Sequence, residues 1–526
     1  MVGLVVAGNV AWMIHDHQAP PWDQAHYLHL SFAWRRAWHT GGLHRLVSSV
    51  YNTDPERAPL YVLLITPLEA QWNGVTAALV ANTMVLSGVI VASARVAARL
   101  FGGRAAVLTA IFVATCALLD GLSRTALVDV LLVLLVTLAV LAAVESQGFR
   151  RRGWALAFGA FTGLAMLTKL TAPAFVLLPA ALTMGLSPRF VPRRQLANLL
   201  LGLGLAVGLA LPWYAVNLGP SLDYLQSTTN GALAIGTTAH PLTWHAFQRY
   251  LIDTINLGVG AILVVLLVGV GALAAVQRRR QWDRQTLVRI SIPLSWFAIG
   301  FLALAAAHNQ DIRYLAPGIP GLAILAAGSI GVLRPPRLQL AIATVATVAL
   351  AWQFVSYVAP VSQPGVAELA VGPPSFRLSA PLDGRVLDYA RRYGLPDYAT
   401  PIVKDLARAG RRLGARSTLT VCLLESQEVV NGNTLGYVAE SRGVSLSFVD
   451  VSYIPRFSQR DLTRALEACP VALLIRSKFG SGRIAVLNRS SAAARLTATD
   501  LRLFSGPRPH LPVGQGATVE ILERGR

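Results

Sequence analysis

The chain has 526 residues, 54% of them hydrophobic and only 14% charged, with a mean hydropathy of +0.52. Soluble domains carry nearly twice that charge fraction, so a soluble globular enzyme is excluded. The formal net charge of +20 does not point to nucleic acid, because the basic residues stand in short clusters between apolar runs and no recognition module accompanies them.

Apolar runs occur at roughly 1–15, 75–97, 104–119, 126–145, 153–168, 171–187, 196–216, 252–276, 288–307, 314–333 and 338–358. Runs of this kind cross a hydrocarbon core of about 30 Å as helices. The expected fold is a polytopic α-helical membrane protein of about eleven transmembrane helices (residues 1–358), followed by a linker (359–384) and an extracytoplasmic α/β domain (385–526). The first run is the weakest. Met1 to Ile14 would rise only about 21 Å as a helix, and it lacks both a basic flank and the cleavage site of a signal peptide.

The connections alternate in character. One set holds Arg95, Arg99 and Arg104, then Arg150 to Arg152, Arg189, Arg193 and Arg194, Arg278 to Arg280, and Arg334 and Arg337. The other set is longer and carries acids and histidines. Basic connections face the cytoplasm. The N-terminus is then cytoplasmic, and the first long connection (15–72) and the C-terminal region lie outside.

That first connection contains helical stretches with apolar faces, such as Tyr27 to Trp38, suited to the membrane interface. Asp23 stands at its start, in Pro20-Pro-Trp-Asp-Gln-Ala-His-Tyr27. One reading makes Asp23 a helix-capping or first-turn acid favoured by the helix dipole; the other makes it a carboxylate doing chemistry at the bilayer edge. Six of the ten histidines also fall here: His15, His17, His26, His29, His39 and His44. The pairs His15-x-His17 and His26-x-x-His29 leave a divalent cation open, against a plainer role in hydrogen bonding to headgroups. No metal ligand set is assigned.

Lys169 is the one lysine among the apolar runs, the others being Lys404 and Lys478. An ionisable residue at a span end either snorkels to the interface or serves function. Arg124 and Asp129 stand near the start of the fourth run, where Asp120 and Arg124 also have the i,i+4 spacing of a stabilising pair. Arg313 has Asp311 as a neighbouring partner.

After Tyr357 the composition changes. Pro, Gly and Ser mark the linker. Pro401 to Leu413 has helical spacing, and Thr418–Leu424, Ser445–Val451 and Val471–Ile475 read as strands, which together favour a mainly parallel sheet. Cys422 and Cys469 would form a disulfide if this region is extracytoplasmic.

Several short motifs, in order, give a resemblance. Pro21-Trp-Asp23-Gln-Ala-His-Tyr27 resembles the acid-x-x-x-Tyr motif in the first outer loop of GT-C glycosyltransferases, in the branch of protein O-mannosyltransferases and lipid A aminoarabinose transferases. Arg57-Ala-Pro-Leu-Tyr61 is similar to that branch's Pro-Pro-Leu-Tyr element, with Ala58 replacing its first proline. Arg124 and Asp129 resemble the outer end of its fourth span. Gly163-Leu-Ala-Met-Leu-Thr-Lys169 and Arg313-Tyr314-Leu-Ala-Pro317 are similar to two further elements, and His240-Pro241 is a loose match to a His-x-Pro stretch.

The resemblance covers residues 1–358. It implies a bacterial cytoplasmic-membrane enzyme that moves a sugar from a polyprenyl-phosphate donor to an extracytoplasmic glycan, lipid or protein. Asp23 would be the general base. Tyr27, Arg57, Tyr61, Arg124, Asp129, Lys169, His240, Arg313 and Tyr314 would contact substrate. The chemistry asks for these groups: a hydroxyl needs a base to attack C1, and a departing phosphate needs a cation. The competing reading is a secondary transporter or lipid flippase, for which mid-membrane charges, broken helices and paired repeats are the expected signs.

Overall fold

The fold, a computed structural model, is described for residues 1–186, 192–229, 241–278, 283–358, 367–370, 377–380, 397–415, 418–424, 426, 430–450, 464, 466–477, 504, 509–512 and 517–524. The chain divides into two units. One comprises Met1–Ile14 and Trp34–Tyr393; the other comprises His15–Ala33 and Gly394–Arg526. The first long connection is thus divided, since its opening residues cluster with the C-terminal region.

The helices in chain order are α1 (Val2–His15), α2 (Trp22–Asn52), α3 (Leu60–Ile65), α4 (Gly74–Phe101), α5 (Gly103–Ala114), α6 (Ala117–Ser123), α7 (Asp129–Glu145) and α8 (Arg152–Met166). They continue with α9 (Ala172–Leu182), α10 (Pro192–Thr229), α11 (Trp244–Asp253), α12 (Ala261–Val265), α13 (Gly271–Arg278), α14 (Arg284–Ala305), α15 (Ile319–Gly331) and α16 (Pro336–Val358). Each of the eleven predicted apolar runs contains helix. By length and composition, five of the described helices can cross a membrane, or seven if each of two bent pairs is one span. The shortfall from eleven has a local cause. The chain bends by 58° between α5 and α6, and by 110° at Gly260, whose φ of +82° suits glycine. Several other apolar helices, α1 and α9 among them, are shorter than 18 residues.

Helix direction separates two ends of the first unit. Arg95 and Arg99, late in α4, both pair with Glu145 at the end of α7, with Nε–Oε1 distances of 3.1 and 2.6 Å. The opposite end of α7 begins at Asp129. Residues 124–128 are not helical, so Asp129 is the first residue of α7 and not one turn inside the span as the sequence suggests. The Asn82 amide explains the break. It donates to the carbonyls of Thr125 (2.6 Å) and Leu127 (3.4 Å), groups that a continuous helix would pair within itself.

Glycines bring α8 and α10 together. A Cβ on Gly159 would lie 2.0 Å from the carbonyl oxygen of Gly202, and one on Gly163 would lie 2.8 Å from that of Ala206. In lipid, small residues of this kind let helix backbones approach. The Tyr214 hydroxyl, on α10, donates to the Met166 carbonyl at 2.7 Å and ties the end of α8 just before Lys169. Within the expected linker, β1 (Ala367–Ala370) and β2 (Arg377–Ala380) form an antiparallel pair.

The second unit contains α17 (Ala399–Arg412), β3 (Leu419–Leu423), α18 (Gly432–Ser441), β4 (Leu446–Asp450), β5 (Val471–Ser477), β6 (His510–Pro512) and β7 (Ala517–Glu523). The helix and three strands read from sequence are present. The sheet order is β4-β3-β5-β7-β6. Strand β3 is parallel to β4 and β5, but β7 is antiparallel to both β5 and β6, so the sheet is mixed and not mainly parallel. The two C-terminal strands, absent from the sequence reading, make the difference. Cys422 and Cys469 are disulfide-bonded, within a core that includes Leu474, Phe504 and Leu522.

The segment 15–33 joins this unit through α18. The Thr434 hydroxyl donates to the Pro20 carbonyl at 3.1 Å, Phe32 stacks on Tyr437 with centroids 5.6 Å apart, and His29 Nδ1 lies 2.6 Å from Glu440 Oε2. These α18 residues recur three apart, which puts them along one side of a helix.

Candidate active site

Four of the sequence-selected residues meet in the first unit, at the end of α7 opposite Glu145. Lys169 follows α8, and its Nζ lies 3.1 Å from Asp129 Oδ1. The same Nζ stands over the Tyr314 ring, 4.0 Å from its centroid. Arg313 shares that ring, with Cζ 5.0 Å from the centroid and a guanidinium nitrogen donating to the Tyr314 hydroxyl at 3.1 Å. Two cations from distant parts of the chain are therefore gathered on one aromatic ring, whose π face favours positive charge.

Each cation is also held by a carboxylate. Asp129 is almost fully buried and fixes Lys169; Asp311 fixes Arg313, with Nε–Oδ2 at 3.0 Å. Asp311 does double duty, since Oδ1 accepts the Arg313 backbone N–H as a cap. Lys169 keeps 27% of its side chain exposed and Arg313 keeps 19%. Each cation is thus held in place by an acid with part of its side chain still exposed, and pre-oriented cations of this kind favour an anion.

Arg57 repeats the pattern. Its guanidinium lies 3.2 Å from Asp54 Oδ2 and 4.5 Å from the centroid of Tyr224. The Arg57-to-Tyr61 segment is anchored beside the Lys169 turn, because Leu60 N–H donates to the Leu167 carbonyl at 3.0 Å and Ala58 belongs to a buried cluster against which Leu167 and Leu170 pack. Tyr61 is fully buried, and its hydroxyl accepts from Asn82 at 3.2 Å. Asn82 thereby links Tyr61 to the break that sets the start of α7 at Asp129. Asn82, Asp54 and Tyr224 were not singled out from sequence. The i,i+3 spacing of Asp54 and Arg57 was a usable signal for one of them, but nothing local marks the other two.

Arg124 belongs to a different network. It is fully buried, 2.7 Å from Asp120 Oδ2 in the i,i+4 pair expected from spacing. Its Nε donates to Asn9 Oδ1 at 3.0 Å, and its guanidinium lies 5.2 Å from the Trp12 centroid. Asn9 in turn donates to Thr83 and Ser123, so this arginine ties α1 to α4 and α6.

Asp23 and Tyr27 lie in the second unit. Asp23 occupies the first turn of α2, a position where the helix dipole favours an acidic residue. The preceding residue, Trp22, has φ +45°, an uncommon conformation for a non-glycine residue. Tyr27 is buried and edge-on to His26. His240 lies outside the described residues. Among the described residues, no three His, Cys, Asp or Glu side chains converge as a metal site would require; His29 is engaged with Glu440.

A family model for dolichyl-phosphate-mannose-protein mannosyltransferases matches residues 59–214, a stretch that opens in the Arg57-to-Tyr61 segment and spans Asp129 and Lys169. The solved structure of ArnT from Cupriavidus metallidurans bound to undecaprenyl phosphate is similar with a TM-score of 0.54 at 16% identity, covering 99% of this chain and 97% of that one. Its apo form gives 0.53 at 15% identity, covering 99% and 98%. The archaeal oligosaccharyltransferase AglB from Archaeoglobus fulgidus, in complex with an inhibitory peptide and a dolichol-phosphate, gives 0.54 at 10% identity, covering 98% and 74%. No curated protein sequence matches. At these identities the likeness is one of fold, and that fold is the GT-C fold.

Proposed function

We propose that this chain, an integral membrane protein with the GT-C fold, is a glycosyltransferase that takes a sugar from a polyprenyl-phosphate carrier. The acceptor is a glycan, lipid or protein outside the cytoplasm. The single observation that carries this reading is the pair Lys169 and Arg313, each oriented by an acid and both seated on Tyr314, at the end of α7 away from the Arg95–Glu145–Arg99 cluster. Read by the positive-inside rule, that end faces outward and the N-terminus is cytoplasmic. ArnT, similar in fold across nearly its whole length, binds undecaprenyl phosphate.

In the proposed reaction an acceptor hydroxyl attacks C1 of the sugar while the bond from C1 to the phosphate oxygen breaks. The hydroxyl proton passes to the Asp23 carboxylate. The lipid phosphate leaves with the bonding electron pair and gains charge, which Lys169 and Arg313 stabilise more in the transition state than in the ground state. Attack from the face opposite the phosphate inverts C1. Asp129 and Tyr314 orient the cations. Arg57 and Tyr61 shape the neighbouring wall, Tyr27 supports the Asp23 turn, and His240 contacts substrate. Arg124, enclosed as it is, supports the frame.

The test uses wild type and Asp23→Asn in vesicles supplied with polyprenyl-phosphate sugars and a panel of acceptors. The expected result is transfer by wild type and a loss of at least about 100-fold in Asp23→Asn. Equal transfer by both would remove Asp23 from the mechanism. No transfer by either, with a lipid or sugar crossing the membrane, would replace the enzyme with a transporter.

A further inference from the structure

At the basic end of the first unit, the start of α5, the end of α13 and the α15–α16 turn border an open pocket of about 700 Å³. Among the described residues that line it are two exposed arginines from different segments, Arg104 and Arg334, and no carboxylate. We propose that this pocket binds the phosphate headgroup of an anionic membrane phospholipid. The proposal does not depend on the transferase reading.

The arginines here differ from the others at this end. Arg95 and Arg99 stand in the last turns of α4, where a helix favours positive charge, and Glu145 neutralises both. Arg104 instead stands in the first turn of α5, and Arg334 just before α16. Helix N-termini carry partial positive charge, so a cation there is disfavoured until an anion joins it. Among the described residues neither Arg104 nor Arg334 has a carboxylate partner. A requirement for positive charge at this end explains that arginines are present. It does not explain why two of them, unneutralised, meet two helix N-termini around one pocket.

The walls are fixed by side chains. Gln277 donates to the Arg334 carbonyl at 3.0 Å and accepts its backbone N–H at 2.8 Å. Gln339 donates to the Gly331 carbonyl at 2.6 Å and accepts from Arg104 at 2.8 Å. The guanidinium of Arg104 is thereby oriented while retaining other donors for a phosphate. A lipid source is favoured over a soluble one by the residues alongside: Val107, Val276 and Leu340 are 62%, 75% and 70% exposed, as acyl-chain contacts would be. Basic pockets between transmembrane helices are suited to anionic headgroups.

The experiment measures phosphatidylglycerol retained by the purified full-length protein through detergent washes, by native mass spectrometry, with phosphatidylcholine as the neutral comparison. Wild type should retain phosphatidylglycerol selectively, and R104Q/R334Q should retain at least tenfold less. R151Q/R152Q, which removes the same charge from exposed positions at the same end, should match wild type. R104K/R334K keeps the charge without the guanidinium fork and should fall about threefold or more; it carries the test if the glutamine pair fails to fold. Unchanged retention in R104Q/R334Q or R104K/R334K would overturn the proposal, as would an equal loss in R151Q/R152Q. Displacement of the lipid by inorganic phosphate at equal concentration would overturn the lipid as ligand.

Discussion

Lys169 Nζ lies 3.1 Å from Oδ1 of Asp129, across 40 residues of sequence, and the acid is the more buried partner. Removing the lysine strands a buried carboxylate, whereas removing the acid leaves a partly exposed ammonium that still faces the Tyr314 ring. Lys169→Met should therefore destabilise more than Asp129→Asn, by about 3 kcal/mol against about 1 kcal/mol. The double variant should cost less than the sum. Thermal unfolding in detergent checks this order. In a transfer assay Lys169→Arg should keep more activity than Lys169→Met, because charge is retained but the compact ammonium is not.

The α8–α10 contact predicts a sharp contrast between glycines. Gly159→Leu forces a side chain into the Gly202 carbonyl and should cost more than about 2 kcal/mol, with loss of monodisperse protein on size exclusion. Gly153 is on the same helix with open space around its Cβ position, so Gly153→Ala should leave folding unimpaired or slightly improved.

The Cys422–Cys469 bridge closes a loop over a separation of 47 residues in the second unit. Cys422→Ser with Cys469→Ser should lower the stability of that unit by about 2–5 kcal/mol. Limited proteolysis should then cut within residues 394–526 at lower temperature than in wild type. Unaltered cleavage would show that the bridge contributes nothing.

The contacts that hold residues 15–33 to α18 include a ring stack, a hydrogen bond and a histidine–carboxylate pair. Tyr437→Ala with Glu440→Gln should raise hydrogen exchange across 22–33 at least tenfold, since the ring stack and the histidine–carboxylate pair are both lost. Exchange in α7 and α8 serves as the internal reference and should not change.

Much of the architecture was readable in the chain. Hydropathy summed over about 20 residues and the alternation of arginine clusters are local properties, and they placed helix in every predicted run. Strands β3, β4 and β5 were found the same way, from short β-branched and apolar stretches between turn residues. The order of short motifs selected Asp129, Lys169, Arg313 and Tyr314. It could not say that these four touch, nor that Arg124, equally prominent in the motif pattern, would turn inward to Asp120 and Asn9.

What the sequence by itself determined was therefore the set of helices, their alternating charge and the residue types available for phosphate chemistry, since each depends on neighbours in the chain. Only the tertiary structure decided the remainder. It broke the fourth run before Asp129 by spending the Asn82 amide on two carbonyls, gathered Lys169 and Arg313 onto one tyrosine, and drew residues 15–33 to α18. It also turned a mainly parallel sheet into a mixed one by adding β7 against β5. Each of these joins groups far apart in sequence, and such pairings are set by packing and by the need of buried polar groups for partners, neither of which a local pattern contains.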